Sequence, residues 1–246
     1  MLKNSFTFLP KVGRRTEQSI WSQKILTWSD FLLKEKVKGF SKEKKDRCDV
    51  ILKQAGKALI EEDANFFLKF PLKEQWRLYD EFKEKVLFLD IETGSSNKEL
   101  TVIGVFDGFE YGSFVKGVNL ERDAFFKLLN RYKMLVTFNG AAFDIPTIER
   151  YFNRAIQMPH FDLKHAAAAL ELKGGLKEIE LKLNLKRPSH LYGNPVELWR
   201  AFHASKDKEY LELLLEYNEE DVVNLKPLAD LCFREIKKRL LTPFSS

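Results

Sequence analysis

The sequence predicts an α/β protein: a mixed β-sheet flanked by helices, with a small, mainly helical region ahead of it. Three observations carry that expectation. The run VLFLDIE at 86–92 is short, apolar and β-prone, as in a buried strand. Two more strand-like runs follow in hairpin order before helix and strand alternate, which disfavours a purely parallel sheet, and no Gly-x-Gly-x-x-Gly follows the first strand. The first eighty residues instead place apolar and charged residues at helical spacing.

In order along the chain, helices are expected over 16–26, 28–36 and 42–67, with Ser29 and Ser41 as N-caps. The texture changes at Val86, which sets a boundary near 80–85 between a basic helical region, 1–83, and an α/β domain, 84–246. Strands 100–106 and 111–115 flank the turn signal Asp107-Gly108. A helix over 122–131, a strand over 134–138, a loop at Asn139-Gly140 and a helix over 146–153 follow. The remainder reads as helices at about 162–172, 175–183, 195–204 and 207–225, and a last one starting near Pro227.

A chain of 246 residues that is 44 % hydrophobic can build a real core, which excludes a disordered chain or a disulfide-stapled miniprotein. Its strictly apolar runs, such as Ala166 to Leu170, fall far short of the ~20 residues a membrane helix needs, so a soluble protein is expected. The opening MLKNSFTFLPKVGRR has no apolar core of signal-peptide length. Cys48 and Cys232 lack a Cys-x-x-Cys partner, which fits a reducing cytosol, no disulfide and no cysteine zinc site; a cytoplasmic location is expected. The net charge of +5 is uneven: residues 1–85 carry 19 Lys+Arg against 13 Asp+Glu. A basic first third fits a polyanionic partner, through release of condensed counterions, or simply a solvated lysine-rich surface.

Several carboxylates stand out of place. Asp90 and Glu92, at i and i+2 near the end of the most apolar strand, share one face while Leu89 and Ile91 take the other. Like charges that close invite a divalent cation between them, and oxygen ligands suit magnesium or manganese. Asp207-Lys208-Glu209 repeats the pattern on a solvated helix, so position on a buried strand is what separates the two. Asp144, two residues before Pro146, is either a helix cap or a ligand beyond the C-terminal end of a second strand. Tyr217 and Asp221 belong to a helical stripe, Tyr210, Leu214, Tyr217, Asp221 and Leu225, that is otherwise apolar. A carboxylate buried there needs a cation or a hydrogen-bonding partner such as a tyrosine hydroxyl. His160, His165, His190 and His203 show no ligand spacing and read as structural or surface residues.

The segments VLFLDIETGS, LVTFNGAAFDIP and YNEEDVVNL, in that order, resemble the three exonuclease motifs of the DEDD (DnaQ-like) superfamily of ribonuclease H-like 3′→5′ exonucleases. The intervening HFDLKHAAAALELKGGLKEIELKLNLKRP resembles the YprB-type ribonuclease H-like group, close to the proofreading domains of family B DNA polymerases. The resemblance covers about residues 84–240 and implies a ribonuclease H-like fold. By position it makes Asp90, Glu92, Asp144 and Asp221 the metal-ligating carboxylates and Tyr217 the tyrosine of the DEDDy subgroup. YprB-type sequences often carry His-Asn where this chain has Tyr217-Asn218.

Four such acids can hold two Mg²⁺ or Mn²⁺ ions about 4 Å apart, and in-line hydrolysis would release nucleoside 5′-monophosphates. With an unperturbed pKa of ~10, Tyr217 would orient the attacking water rather than deprotonate it. Asn139 and Phe143 could hydrogen-bond and stack on the terminal nucleotide, with core packing as the other reading of Phe143. Residues 9–32 resemble a helix-hairpin-helix element, with Gly13 in the hairpin, Lys11 where a glycine is usual, and Arg14 and Arg15 adding charge; a helical segment packed on the catalytic domain is the alternative.

The expected function is a metal-dependent 3′→5′ exonuclease on single-stranded DNA. RNA as substrate, structure-specific endonuclease action, and a non-catalytic nucleic-acid-binding module are the rivals. The presence of all four acids and the tyrosine favours the enzyme.

Overall fold

The computed structural model describes residues 1–95, 99–185, 187–188 and 194–241. Five strands form one sheet in the order β3-β2-β1-β4-β5: β1 (Val86–Thr93), β2 (Leu100–Phe106), β3 (Tyr111–Val115), β4 (Met134–Thr137) and β5 (His160–Asp162). The first three are antiparallel neighbours; β4 runs parallel to β1, and β5 parallel to β4. The mixed sheet is as expected, but β5 lies where the sequence reads a loop leading into a helix. Three residues are too few to show a period of two, and the strand exists because Leu135 and Thr137 pair in register with His160 and Asp162.

The helices are α1 (Arg14–Ser22), α2 (Trp28–Leu33), α3 (Lys42–Ile60), α4 (Arg122–Leu129), α5 (Asp144–Phe152), α6 (Leu163–Ala169), α7 (Leu176–Lys182), α8 (Pro195–Ser205), α9 (Lys208–Val223) and α10 (Leu225–Leu241). Their ends follow local chemistry. Thr27, not Ser29, caps α2: its hydroxyl accepts from the Asp30 N–H while Asp30 accepts from the Thr27 N–H, a reciprocal capping box. Ser41 caps α3 as expected, accepting from the Lys44 N–H at 3.2 Å. That helix ends at Ile60 rather than running to 67, because Glu62 turns left-handed (φ 53°) and Asp63 caps a separate 3₁₀ segment, Ala64–Lys69. The last helix begins at Leu225, ahead of Pro227, which sits in the first turn where a missing N–H breaks no bond.

Side-chain alternation divides β1 between two cores. Leu87, Leu89 and Ile91 pack with Leu135, Phe125 and Ile148, whereas Val86 and Phe88 join Phe106, Val136, Phe161 and Leu228 on the other face. By the same period of two, Asp90 and Glu92 continue the Val86/Phe88 face, toward α9.

The N-terminal residues join that second core, which runs without a break from Leu2 to Phe233. Tyr79 donates its hydroxyl hydrogen to Asp230 at 3.0 Å, the Trp76 and Phe233 rings lie 5.9 Å apart, and Gln75 Oε1 accepts the His160 N–H at 2.7 Å. Arg77, fully buried, donates to both oxygens of Glu17 and also to Glu74 and Ser5, so its charge is paired and hydrogen-bonded. Gly13 is the N-cap of α1, preceded by a single 3₁₀ turn, Leu2–Asn4, and the α1–α2 connection at 23–27 holds no glycine. Gly13 therefore does not lie in a hairpin between two helices, as the helix-hairpin-helix resemblance would require. Among the described residues no helix is long and apolar enough to cross a membrane.

Candidate metal centre

The site is built where α9 packs across β1 and β2. Gly104 stands opposite Asp90 in the β1–β2 register, and a Cβ there would collide with Asn218 Oδ1, so glycine is what lets α9 lie this close. Asn218, fully buried, donates from Nδ2 to Asp90 Oδ2 (3.2 Å) and Glu92 Oε1 (3.5 Å) and accepts the Tyr111 hydroxyl hydrogen (3.0 Å). Almost one turn on, α9 delivers Asp221. One oxygen each from Asp90, Glu92 and Asp221 lies within 4.8 Å of the others.

Asp144 stands beside this trio rather than within it. It is the first residue of α5, where Phe143 holds the N-cap position, and the nearby backbone N–H groups of Ile91 and of Asp144 itself lower its pKa against the effect of burial. It nevertheless exerts the largest charge effect on Asp90.

Burial pushes all four acids up, and at Asp90 and Glu92 the charges of the neighbouring acids add to it. Asp90 moves well above the ordinary range through burial and then the charges of Asp144, Asp221 and Glu92. Burial, with Asp221, takes Glu92 to about 8; burial takes Asp144 to about 7, with Asp162 adding to it. For Asp221, burial outweighs the lowering effect of Arg187. Four clustered acids whose carboxyl pKa values are all raised form a site short of positive charge.

Two basic residues that the sequence does not single out reach the cluster. Arg187 pairs with Asp221 and, through Nε (2.5 Å) and Nη2 (2.8 Å), with buried Glu180; its Nη1 is buried with no hydrogen-bond partner among the described residues. Lys177 donates to the Tyr217 hydroxyl and lies 4.3 Å from that ring's centroid. Tyr217 itself is buried, and burial plus the Asp221 and Glu92 charges raise its phenol further, so it keeps its proton.

A cleft of about 330 Å³ opens onto Asp90 and Asp221 between Phe138 and the first turn of α7. Phe138 lines it, while Phe143 packs against the Leu87/Leu89/Ile91 core. Asn139 adopts a left-handed φ of 68°; its N–H and that of Ala141 donate to the two oxygens of Asp162 (2.9 and 3.1 Å), and the residue lines the neighbouring groove instead of this cleft. The described histidines stay out of the centre. His160 is buried against the Thr137 hydroxyl (2.8 Å) and held neutral by burial, its pKa falling to about 4. His165 and His203 are exposed, and His190 lies outside the described residues.

A mixed five-stranded sheet with helices on its faces and a cluster of carboxylates at the end of its first strand defines a ribonuclease H-like α/β protein with an oxygen-rich site suited to a hard divalent cation. The chain belongs to the RNase_H superfamily: the family model RNase_H_2 matches residues 87–233. Members of that superfamily are generally hydrolytic nucleases, bind nucleic acid and typically use divalent cations. No curated protein and no solved structure matches the chain.

Proposed function

We propose that the protein is a metal-dependent 3′→5′ exonuclease of DEDDy type that hydrolyses single-stranded DNA to nucleoside 5′-monophosphates. The observation that carries this reading is the carboxylate trio within 4.8 Å, with Asp144 alongside, whose combined charge exceeds what Arg187 and Lys177 supply. Asp90, Glu92, Asp144 and Asp221 would hold two Mg²⁺ or Mn²⁺ ions, and when bound these would supply an acidified water and neutralise charge on the phosphate. Asn218 fixes the orientation of Asp90 and Glu92. Tyr217, protonated and steadied by Lys177, orients water through its hydroxyl. Asn139 offers the terminal nucleotide hydrogen bonds from the adjoining groove, and Phe138 offers a ring inside the cleft, with Phe143 packed behind the same loop.

The test is a time course on 5′-labelled single-stranded DNA and its RNA counterpart with Mg²⁺ or Mn²⁺. A ladder shortening from the 3′ end, absent with EDTA and in Asp90→Ala, is the expected outcome, and circular DNA left intact separates it from an endonuclease. One observation favours the rival binding module: Arg187 already gives Asp221 a protein partner. Calorimetric titration with Mn²⁺ decides between them. Uptake that is lost in Asp90→Asn and Asp221→Asn supports the enzyme, and no uptake supports the module.

A further inference from the structure

A second, larger groove of about 730 Å³ lies next to the carboxylate cleft, and the β4–α5 loop is their common wall: Phe138 lines the cleft and the next residue, Asn139, lines the groove. Both open along the edge formed by the C-terminal ends of the parallel strands, since Asp90 lies on β1, Asn139 follows β4, and Asp162 ends β5. The far side of the groove comes from the N-terminal region, through Arg14 and the 3₁₀ segment Leu72–Leu78, and from the end of α10.

Its chemistry is two-sided. Leu72, Trp76, Phe161 and Leu240 give it apolar surface, while Arg14, Lys73, Lys164 and Arg239 are exposed cations around it. Lys73 and Lys164 make no ion pair among the described residues. Its one acid, Asp162, is buried and spends its oxygens on the N–H groups of Asn139, Ala141 and Lys164. Cations spaced around an apolar lining match a flexible polyanion whose charges alternate with flat apolar groups, which is a single-stranded nucleic acid.

We propose that this groove carries the strand leading to the carboxylate cleft, so that the N-terminal region supplies half of the nucleic-acid track. The identity of the polymer rests on the nuclease reading; the groove's charge and position do not. The basic first third of the chain thereby acquires a use that requires no helix-hairpin-helix: Lys73, and Arg14 paired with Glu74 at 2.5 Å, line one groove with Lys164 and Arg239.

The experiment is fluorescence anisotropy with labelled dT20 and rU20, in the Asp90→Asn protein with EDTA so that no hydrolysis intervenes. The groove variant Lys73→Ala/Lys164→Ala/Arg239→Ala is compared with Lys53→Ala/Lys127→Ala/Lys208→Ala, which removes the same charge from exposed positions elsewhere. With each single-strand phosphate contact contributing ~0.7 to the salt slope, the groove variant should bind at least one oligonucleotide about tenfold more weakly with a slope lower by about 2, and the control variant should not. Affinity for both oligonucleotides left unchanged in the groove variant, or an equal loss in the two variants, overturns the proposal. The six substituted cations are solvent-exposed, and matching thermal melts verify folding. A wild-type protein that shortens no oligonucleotide removes the nuclease reading, while the contrast between variants still decides the groove.

Discussion

At Asp90 and Glu92 the folded chain holds protons that an unfolded chain would release near pH 4, and this fixes the sign of a pH effect. Where the native state binds more protons than the unfolded state, stability falls as pH rises. The metal-free protein should therefore be most stable below the ordinary carboxylate range and lose stability as pH climbs toward the raised value of about 8 at Glu92. Melts at pH 5.5, 7.0 and 8.5 should show this decline, weakened in Asp90→Asn and reversed by saturating Mn²⁺, whose binding displaces the protons. A metal-free melting temperature that rises across the same window would mean that protein donors already satisfy these acids. Arg187 invites a second experiment. Removing it in Arg187→Ala leaves Glu180, 1 % exposed, without its guanidinium, which should cost about 3 kcal/mol in urea denaturation. The same change frees Asp221 from a competing cation, so Mn²⁺ should bind more tightly to the variant; weaker binding would show that Arg187 holds the acids in place.

Among the elements, β2 and α9 are locked together at one glycine. Gly104→Ala drives a methyl group into Asn218 and should cost about 1–3 kcal/mol and weaken Mn²⁺ uptake. Adding Asn218→Ala should return part of the lost stability but none of the uptake, because Asp90 and Glu92 lose their shared donor. A double variant no more stable than Gly104→Ala would mean that the strand, not the amide, absorbs the strain. What could be read in the sequence follows the same division between local and tertiary signals. The pairing of Asp90 with Glu92, and of Tyr217 with Asp221, is legible because each rests on one element's own period. Asn218 sits in the polar string YNEED, and only the register of β2 beneath it marks it out. Arg187 is one cation in a lysine-rich stretch, and its meaning arises from Asp221, 34 positions away. Thr27 and Ser29 are equally good caps on paper until the Asp30 side chain chooses between them. Whether Phe138 or Phe143 faces the cleft depends on the left-handed turn at Asn139 between them.

The whole molecule unites its helical and α/β portions through one hydrophobic cluster and through Tyr79, Trp76 and Gln75. Full-length protein should accordingly unfold in a single urea transition seen alike by far-ultraviolet dichroism and tryptophan emission, whereas two separated transitions would show that the portions fold independently. Residues 84–246 produced alone should bind hydrophobic dyes, having lost the partners of Phe161 and Phe233. The contact between Gln75 and His160 has a further consequence. β5 is the last strand of its sheet, only three residues long, and the Gln75 amide takes up an N–H that would otherwise be presented outward. An unguarded sheet border recruits strands from other chains, so the N-terminal region also acts as a stopper against aggregation, and a chain without it should polymerise through that border.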